Sequence, residues 1–155
     1  MIATSPASRN SNWLAFALAL VANAVWINAS EVFRYFAFVM PMMREAFPQV
    51  DDVAPMSLTV FAVWGLWDTV LLLAVTGFVW LCLERFGATA RNAVLAGTAF
   101  WGAVFVVLWL GLFNMNLAPW HVLAVALPLA WIEMAVAALI VRWAVLRGGS
   151  TVVSG

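Results

Sequence analysis

The sequence predicts an all-α polytopic membrane protein in which four transmembrane helices form an antiparallel bundle. Hydrophobic residues make up 66% of the 155 residues and charged residues only 9%, with a mean hydropathy of +1.03. Soluble domains carry ~25% charged residues. Each apolar stretch reaches the ~20 residues that cross a bilayer core, and the short connections between stretches force neighbouring helices to run in opposite directions. The predicted spans cover about residues 13–40, 56–83, 93–113 and 119–143.

Residues 1–12 are polar and are predicted to be a mobile cytoplasmic tail, and residues 144–155 are predicted to be a second cytoplasmic tail. The first apolar stretch contains Ala22-Asn23-Ala24, a triplet typical of signal-peptide cleavage sites. The stretch nevertheless continues beyond this triplet to Met40 without a polar start for a mature chain. An uncleaved first span is therefore favoured, and cleavage stays open as the alternative.

Arginine residues are distributed unequally between the two predicted sides of the membrane. The tails and the second connection share one side, whereas Arg44, with Arg34 near it, belongs to the other. By the positive-inside rule, the arginine-rich side faces the cytoplasm. We therefore predict an integral protein of a bacterial inner membrane with both termini in the cytoplasm. The arginines on the predicted cytoplasmic side are Arg9, Arg85, Arg91, Arg142 and Arg147.

Charge and composition disfavour several classes of function. The formal net charge is zero and the chain contains no lysine, so no basic stripe is available for nucleic acid. Cys82 is the only cysteine, which excludes an intrachain disulfide and a CxxC redox pair. His121 is the only histidine, so one chain cannot supply bis-histidine haem ligation. No metal and no cofactor is predicted.

Ionisable residues within three of the spans mark the candidate site. A charge at membrane depth costs several kcal/mol or more, so such residues are commonly functional. Glu31, Asp68 and Glu133 are the candidate catalytic acids and bases, because a carboxyl group in a dry pocket can exchange protons. Two structural alternatives remain open. The carboxyl groups could join helices by hydrogen bonds, or Arg34 could simply neutralise Glu31 while its side chain extends outward.

A rise of 1.5 Å per residue gives each polar group a predicted depth. Asn23, Asp68 and Glu133 are expected to share a layer near the bilayer midplane, where no cation accompanies them. Asp68 and Glu133 should then share a proton or each be protonated. A second layer is expected near the outer boundary and comprises Glu31, Arg34, Asn114, Asn116 and His121.

The polar layers and the tryptophans within the spans predict a cavity for a hydrophobic ligand. The tryptophans would form its walls, although helix packing is the more frequent role of such residues. Gly97 and Gly102, with neighbouring alanines, are expected to let the third helix approach another helix closely. The candidate ligand-binding residues are Asn23, Trp26, Arg34, Trp64, Trp67, Asn114, Asn116, His121 and Trp131.

The general layout resembles the four-helix sterol-isomerase and sigma-2-receptor type of membrane protein. The residues that carry this resemblance are Glu31, the segment Arg44-Glu45-Ala46-Phe47-Pro48 after the first span, and Asp68. The resemblance implies cytoplasmic termini and an aromatic pocket for small hydrophobic amines or sterols. Because the second span lacks a His-plus-Glu catalytic set, the resemblance extends to the layout and contributes little to function.

Three functions are compatible with the sequence. The favoured one is a membrane protein that binds a small lipid-, sterol- or isoprenoid-like ligand beside buried carboxyl groups, either as a binding protein or as an acid/base enzyme. The second is an accessory subunit of a larger membrane complex, and the third is a small proton-coupled transporter that acts as a homodimer. The predicted partners are therefore the bilayer, the hydrophobic ligand and further membrane chains.

Overall fold

Four helices of membrane-spanning length follow the four apolar stretches. The computed structural model describes the backbone of residues 6–53 and 55–150, and the side chains of residues 12–53 and 55–148. Within these residues there are four long helices and no strand, which confirms the predicted four-helix bundle. α1 comprises Pro6–Arg34, a π-helical turn Tyr35–Val39 and a last segment Met40–Ala46; α2 is Leu58–Phe86; α3 comprises Ala90–Trp101, a π-helical turn Gly102–Val106 and Val107–Asn114; α4 is Trp120–Ser150.

The helices extend beyond the predicted spans at several ends. α1 begins at Pro6 rather than at Trp13, and α4 continues past Trp143 to Ser150. A helix satisfies its backbone hydrogen bonds internally on either side of the membrane boundary, so the end of an apolar stretch does not by itself end a helix. The tails predicted over 1–12 and 144–155 are thus partly helical, and their outermost parts, 1–5 and 151–155, lie outside the described residues.

A tight turn joins α2 to α3. Gly87 has a φ of 91°, which favours glycine, and its N–H donates to the Leu83 carbonyl at 3.0 Å. The Thr89 hydroxyl caps α3 by accepting from the Asn92 N–H at 3.1 Å, and the Asn92 amide donates to the Gly87 carbonyl at 3.0 Å. From α4, Arg142 donates to the Ala88 carbonyl at 3.1 Å. The turn is therefore closed by side chains of both α3 and α4.

α4 lies at the centre of the bundle and packs against all three other helices. Its contact with α3 depends on Gly97, where an added Cβ would lie 2.6 Å from the Met134 carbonyl oxygen. This is the close approach expected from the small residues of the third span. Gly102 does not take part in it, because nothing lies within 4 Å of the position its Cβ would occupy.

Candidate functional site

Four ionisable side chains from α1, α2 and α4 meet inside the bundle, and we call them the polar cluster: Glu31, Arg34, Asp68 and Glu133. All four are buried. Arg34 is ion-paired with Glu31, one helical turn before it on α1. The same guanidinium lies 3.9 Å from a carboxylate oxygen of Glu133 on α4. Its carbon atom lies 5.3 Å from the centre of the Phe105 ring of α3. Arg34 thus joins three helices.

The polar cluster contains more potential negative charge than positive charge. Arg34 is close to Glu31 and Glu133, and Asp68 lies within electrostatic range of Glu31 and Arg34, so one guanidinium is available to three carboxyl groups. One oxygen of Asp68, both oxygens of Glu133 and one nitrogen of Arg34 are buried without a hydrogen-bond partner among the described residues. An uncompensated charge inside a bilayer is costly. Protonation of a carboxyl group would lower this cost, and Ser30 lies close enough to Glu133 to share a hydrogen bond with it.

The cluster corrects the two predicted polar layers, because Glu133 lies with Glu31 and Arg34 instead of one layer below them. Arg34 also does not extend outward to the membrane boundary, and it supplies the cation that Glu133 was expected to lack. The reason is the direction of helical side chains, which lean toward the amino terminus of their own helix. α1 and α4 run in opposite directions. The Arg34 side chain therefore leans into the membrane, and the Glu133 side chain leans toward Arg34. Rise per residue gives the depth of a Cα atom and not of a charged group.

Asn23 stands apart from the polar cluster. Its side-chain amide donates to the Thr76 hydroxyl of α2 at 3.0 Å, and both residues are fully buried. The predicted midplane layer of Asn23, Asp68 and Glu133 is therefore divided between an interhelical hydrogen bond and the polar cluster. Thr76 was not predicted, because a threonine within an apolar span carries no distinguishing sequence signal.

A cavity opens beside the polar cluster, between α1 and α2, with α3 behind it. Its volume is about 340 Å³, within the range of small-molecule sites. Glu31 and Arg34 form its polar wall, and Trp67, which is 52% exposed, stands at its opening toward the lipid. We call it the α1–α2 cavity, and it is lined by Glu31, Arg34, Tyr35, Val39, Met56, Val60, Val63, Trp64, Trp67 and Trp109.

The aromatic walls of this cavity are packed against one another. The rings of Tyr35 and Trp64 have centroids 4.7 Å apart, and Phe61 lies edge-on to Trp64 at 6.5 Å. Trp64 and Trp67 were predicted as walls from the sequence, whereas Tyr35 and Trp109 were not. A ligand here would meet four aromatic side chains and four aliphatic ones, with an acceptor at Glu31 and a donor at Arg34.

Both π-helical turns adjoin this site. In α1 the turn Tyr35–Val39 begins directly after Arg34 and supplies two cavity-lining residues. In α3 the turn Gly102–Val106 carries Phe105, which lies against the Arg34 guanidinium. Such widened turns are rare and occur frequently at functional sites. They also shift the face that downstream residues present, and Trp109 lies downstream of the turn in α3.

Two of the tryptophans predicted to line the cavity have other roles. The Trp26 indole donates to the Glu133 backbone carbonyl at 3.0 Å, joining α1 to α4. The Trp131 indole donates to the Thr98 hydroxyl at 3.0 Å, on the α3 side of α4. On that side Trp101 also donates to the Leu127 carbonyl at 2.9 Å. These indoles join α4 to α1 and to α3 by hydrogen bonds outside the α1–α2 cavity.

The structure does not bring the polar residues of the third connection to the polar cluster. Asn114, Asn116 and His121 are exposed and are not among the residues that line the α1–α2 cavity. Asn116 has a φ of 58°, a left-handed conformation that asparagine tolerates in turns. Among the described residues, no three His, Cys, Asp or Glu side chains converge to hold a metal ion.

The chain matches no known protein-family model, no curated protein sequence and no solved structure. The fold and the site together define the class: an integral membrane protein built as a four-helix bundle with buried ionisable residues beside an aromatic cavity.

Proposed function

We propose that the protein binds a small hydrophobic ligand, of lipid-, sterol- or isoprenoid-like character, in the α1–α2 cavity. The observation that carries this proposal is the joining of aromatic walls to a buried polar wall in one cavity of about 340 Å³. Ligand sites typically combine an apolar lining with a few converging polar groups. Because the opening lies between transmembrane helices, the bilayer is the source of the ligand.

Glu31 and Arg34 are the groups that would contact the polar end of such a ligand, since they alone of the polar cluster line the cavity. Glu133 lies behind Arg34 and acts as a positioning residue for the guanidinium. Asp68 acts through its charge on the same pair. Of the three predicted catalytic acids, Glu31 alone lines the cavity, and this supports Glu31 as the group that would exchange a proton with a bound molecule.

Native mass spectrometry of protein released from gentle detergent tests the proposal. We expect a discrete small adduct on the wild type, and at least about tenfold lower occupancy in Trp64→Ala, because a buried aromatic contact is commonly worth ~2 kcal/mol. Trp120→Ala is the matched control, since Trp120 is exposed and lies on the α3–α4 side. An adduct unaffected by Trp64→Ala, or a bare wild-type protein, would contradict the proposal.

Proton-coupled transport is the second candidate, favoured by the three carboxyl groups around a single guanidinium. Protons would neutralise this cluster in one state and a substrate would neutralise it in another. Proton movement and substrate movement would thereby be coupled. Vesicles containing the protein should then show substrate uptake driven by a pH difference, and Asp68→Asn should abolish it. Equal uptake with and without the pH difference would exclude coupling.

Location and assembly also remain proposals. The predicted arrangement, a bacterial inner membrane with cytoplasmic termini, is supported by exposed Arg85 and Arg91 near the α2–α3 turn and by Arg147 near the end of α4. Assembly as a homodimer or as an accessory subunit stays a prediction. A mass measurement in mild detergent would distinguish a homodimer or a larger complex from a monomer of 16.9 kDa.

A further inference from the structure

A second cavity adjoins the α1–α2 cavity on the outside of the bundle. It has a volume of about 430 Å³ and lies between α2 and α3. The two cavities share Val63 and Trp67, so they meet at the opening described above. Every residue that lines the second cavity is apolar, and its floor is formed by buried Leu71 and Phe100. We call this second cavity the α2–α3 groove.

The length of the α2–α3 groove corresponds to one leaflet of a bilayer. Along α2 it runs from Val63 to Ala74, which is about 16 Å at 1.5 Å per residue. Half of a ~30 Å hydrocarbon core is nearly the same length. The groove begins beside the polar wall and ends near the middle of α2. It therefore runs in the direction that a hydrocarbon chain takes from a head group placed at the polar wall.

We propose that the ligand is a lipid with a long flexible hydrocarbon chain. Its polar head lies against Glu31 and Arg34, and its chain passes Trp67 and occupies the α2–α3 groove. This inference rests on the proposed function and narrows its ligand class. The lining positions shift around α2 by about 40° between the two cavities, a bend that a flexible hydrocarbon chain can follow.

The π-helical turn of α3 supports this path independently. Its consecutive residues Val104 and Phe105 lie on either side of the same route, because Val104 lines the groove while Phe105 lies against Arg34. The widened turn thus supplies one residue beside the position of the polar head and one residue beside the position of the chain. A lipid of the adjacent leaflet would enter sideways at Trp67, and its head group would reach Glu31 and Arg34 through the α1–α2 cavity.

Photolabelling in liposomes tests the path directly. The probes are two long-chain fatty alcohols, one carrying a diazirine beside the hydroxyl and the other at the chain end. We expect the first to label peptides containing Tyr35 or Trp64, and the second to label those containing Ala74 or Phe100. Chain-end labelling spread equally over lipid-facing positions such as Val107, or no enrichment with either probe, would overturn the inference.

A substitution that fills the groove gives a quantitative test. Ala74→Leu places a larger side chain at the far end of the groove, and its matched control is Ala62→Leu, an exposed alanine of α2 outside both cavities. The larger side chain would occupy space that the end of the hydrocarbon chain needs. We therefore expect roughly tenfold weaker retention of the long-chain alcohol in Ala74→Leu, and no change in Ala62→Leu or for a short-chain alcohol.

The two proposals fail in different ways. If Ala74→Leu retains the long-chain alcohol like the wild type while Trp64→Ala loses it, the cavity binds a ligand but the groove does not hold its chain. If Trp64→Ala also retains the alcohol, the proposed function itself is wrong.

Discussion

Gly97 of α3 lies directly against the backbone carbonyl of Met134 in α4, with no room for a side chain between them. Met134 follows Glu133, so this contact sets the distance between α3 and the helix that positions Arg34. The backbone fit of α3 on α4 therefore stabilises the bundle and locates one side of the polar cluster.

Gly97→Ala should destabilise the protein by about 1–3 kcal/mol, because the added Cβ would lie 2.6 Å from the Met134 oxygen and the helices must separate. Gly102→Ala is the control, since the corresponding space is open. Chemical unfolding in detergent measures both variants. A Gly97→Ala protein as stable as Gly102→Ala would show that the contact between α3 and α4 is looser than described.

Arg34→Met should be far more damaging than the loss of an exposed arginine. It leaves three buried carboxyl groups without a cation, and breaking a buried ion pair from one side costs about 3–5 kcal/mol. Arg147→Met is the control, because Arg147 is exposed and stacks on Trp143 at 4.3 Å, a contact worth about 0.5–1 kcal/mol. The free energy of unfolding of both variants is the measurement.

Adding Glu31→Gln to Arg34→Met should restore part of that loss, because it removes one of the uncompensated charges. A double-mutant cycle on the unfolding free energies should give a coupling of about 0.5–3 kcal/mol. Strictly additive effects would mean that the two side chains do not interact in the membrane.

Thr76→Val should destabilise the contact between α1 and α2 by about 0.5–1.7 kcal/mol, the range measured for hydrogen bonds between membrane helices. It removes the hydroxyl that accepts from Asn23 and leaves the buried amide unpaired. The double variant Asn23→Leu/Thr76→Val should regain stability relative to Thr76→Val, since no polar group is then left unpaired. A double variant less stable than the single variant would contradict this account.

Cysteine labelling on intact cells should determine the orientation. In a Cys82→Ser background, a membrane-impermeant thiol reagent should modify Gln49→Cys in the exposed α1–α2 connection. It should modify Ala90→Cys, at the start of α3, only after permeabilisation, if the arginine-rich side is cytoplasmic. The reverse pattern would invert the predicted topology.

The fold followed from the sequence because bilayer thickness imposes a length that four apolar stretches satisfy. The site followed only in part. Glu31, Asp68 and Glu133 were identifiable as charges in apolar surroundings, and Trp64 and Trp67 as aromatic residues within spans. The grouping of the charged residues into one cluster could not be predicted, because it depends on the direction of side chains in antiparallel helices. Tyr35 and Trp109 also lie within predicted spans, but nothing in the sequence distinguished them as residues that line the cavity.

The central position of α4 has a consequence for biogenesis. α4 follows the other three helices along the chain, so α1, α2 and α3 enter the membrane before Glu133 has been synthesised. Until α4 arrives, Arg34 and Asp68 face lipid or the insertion machinery, and Gly97 has no helix to pack against. A nascent chain paused before Trp120 would therefore lack the helix that covers the polar cluster.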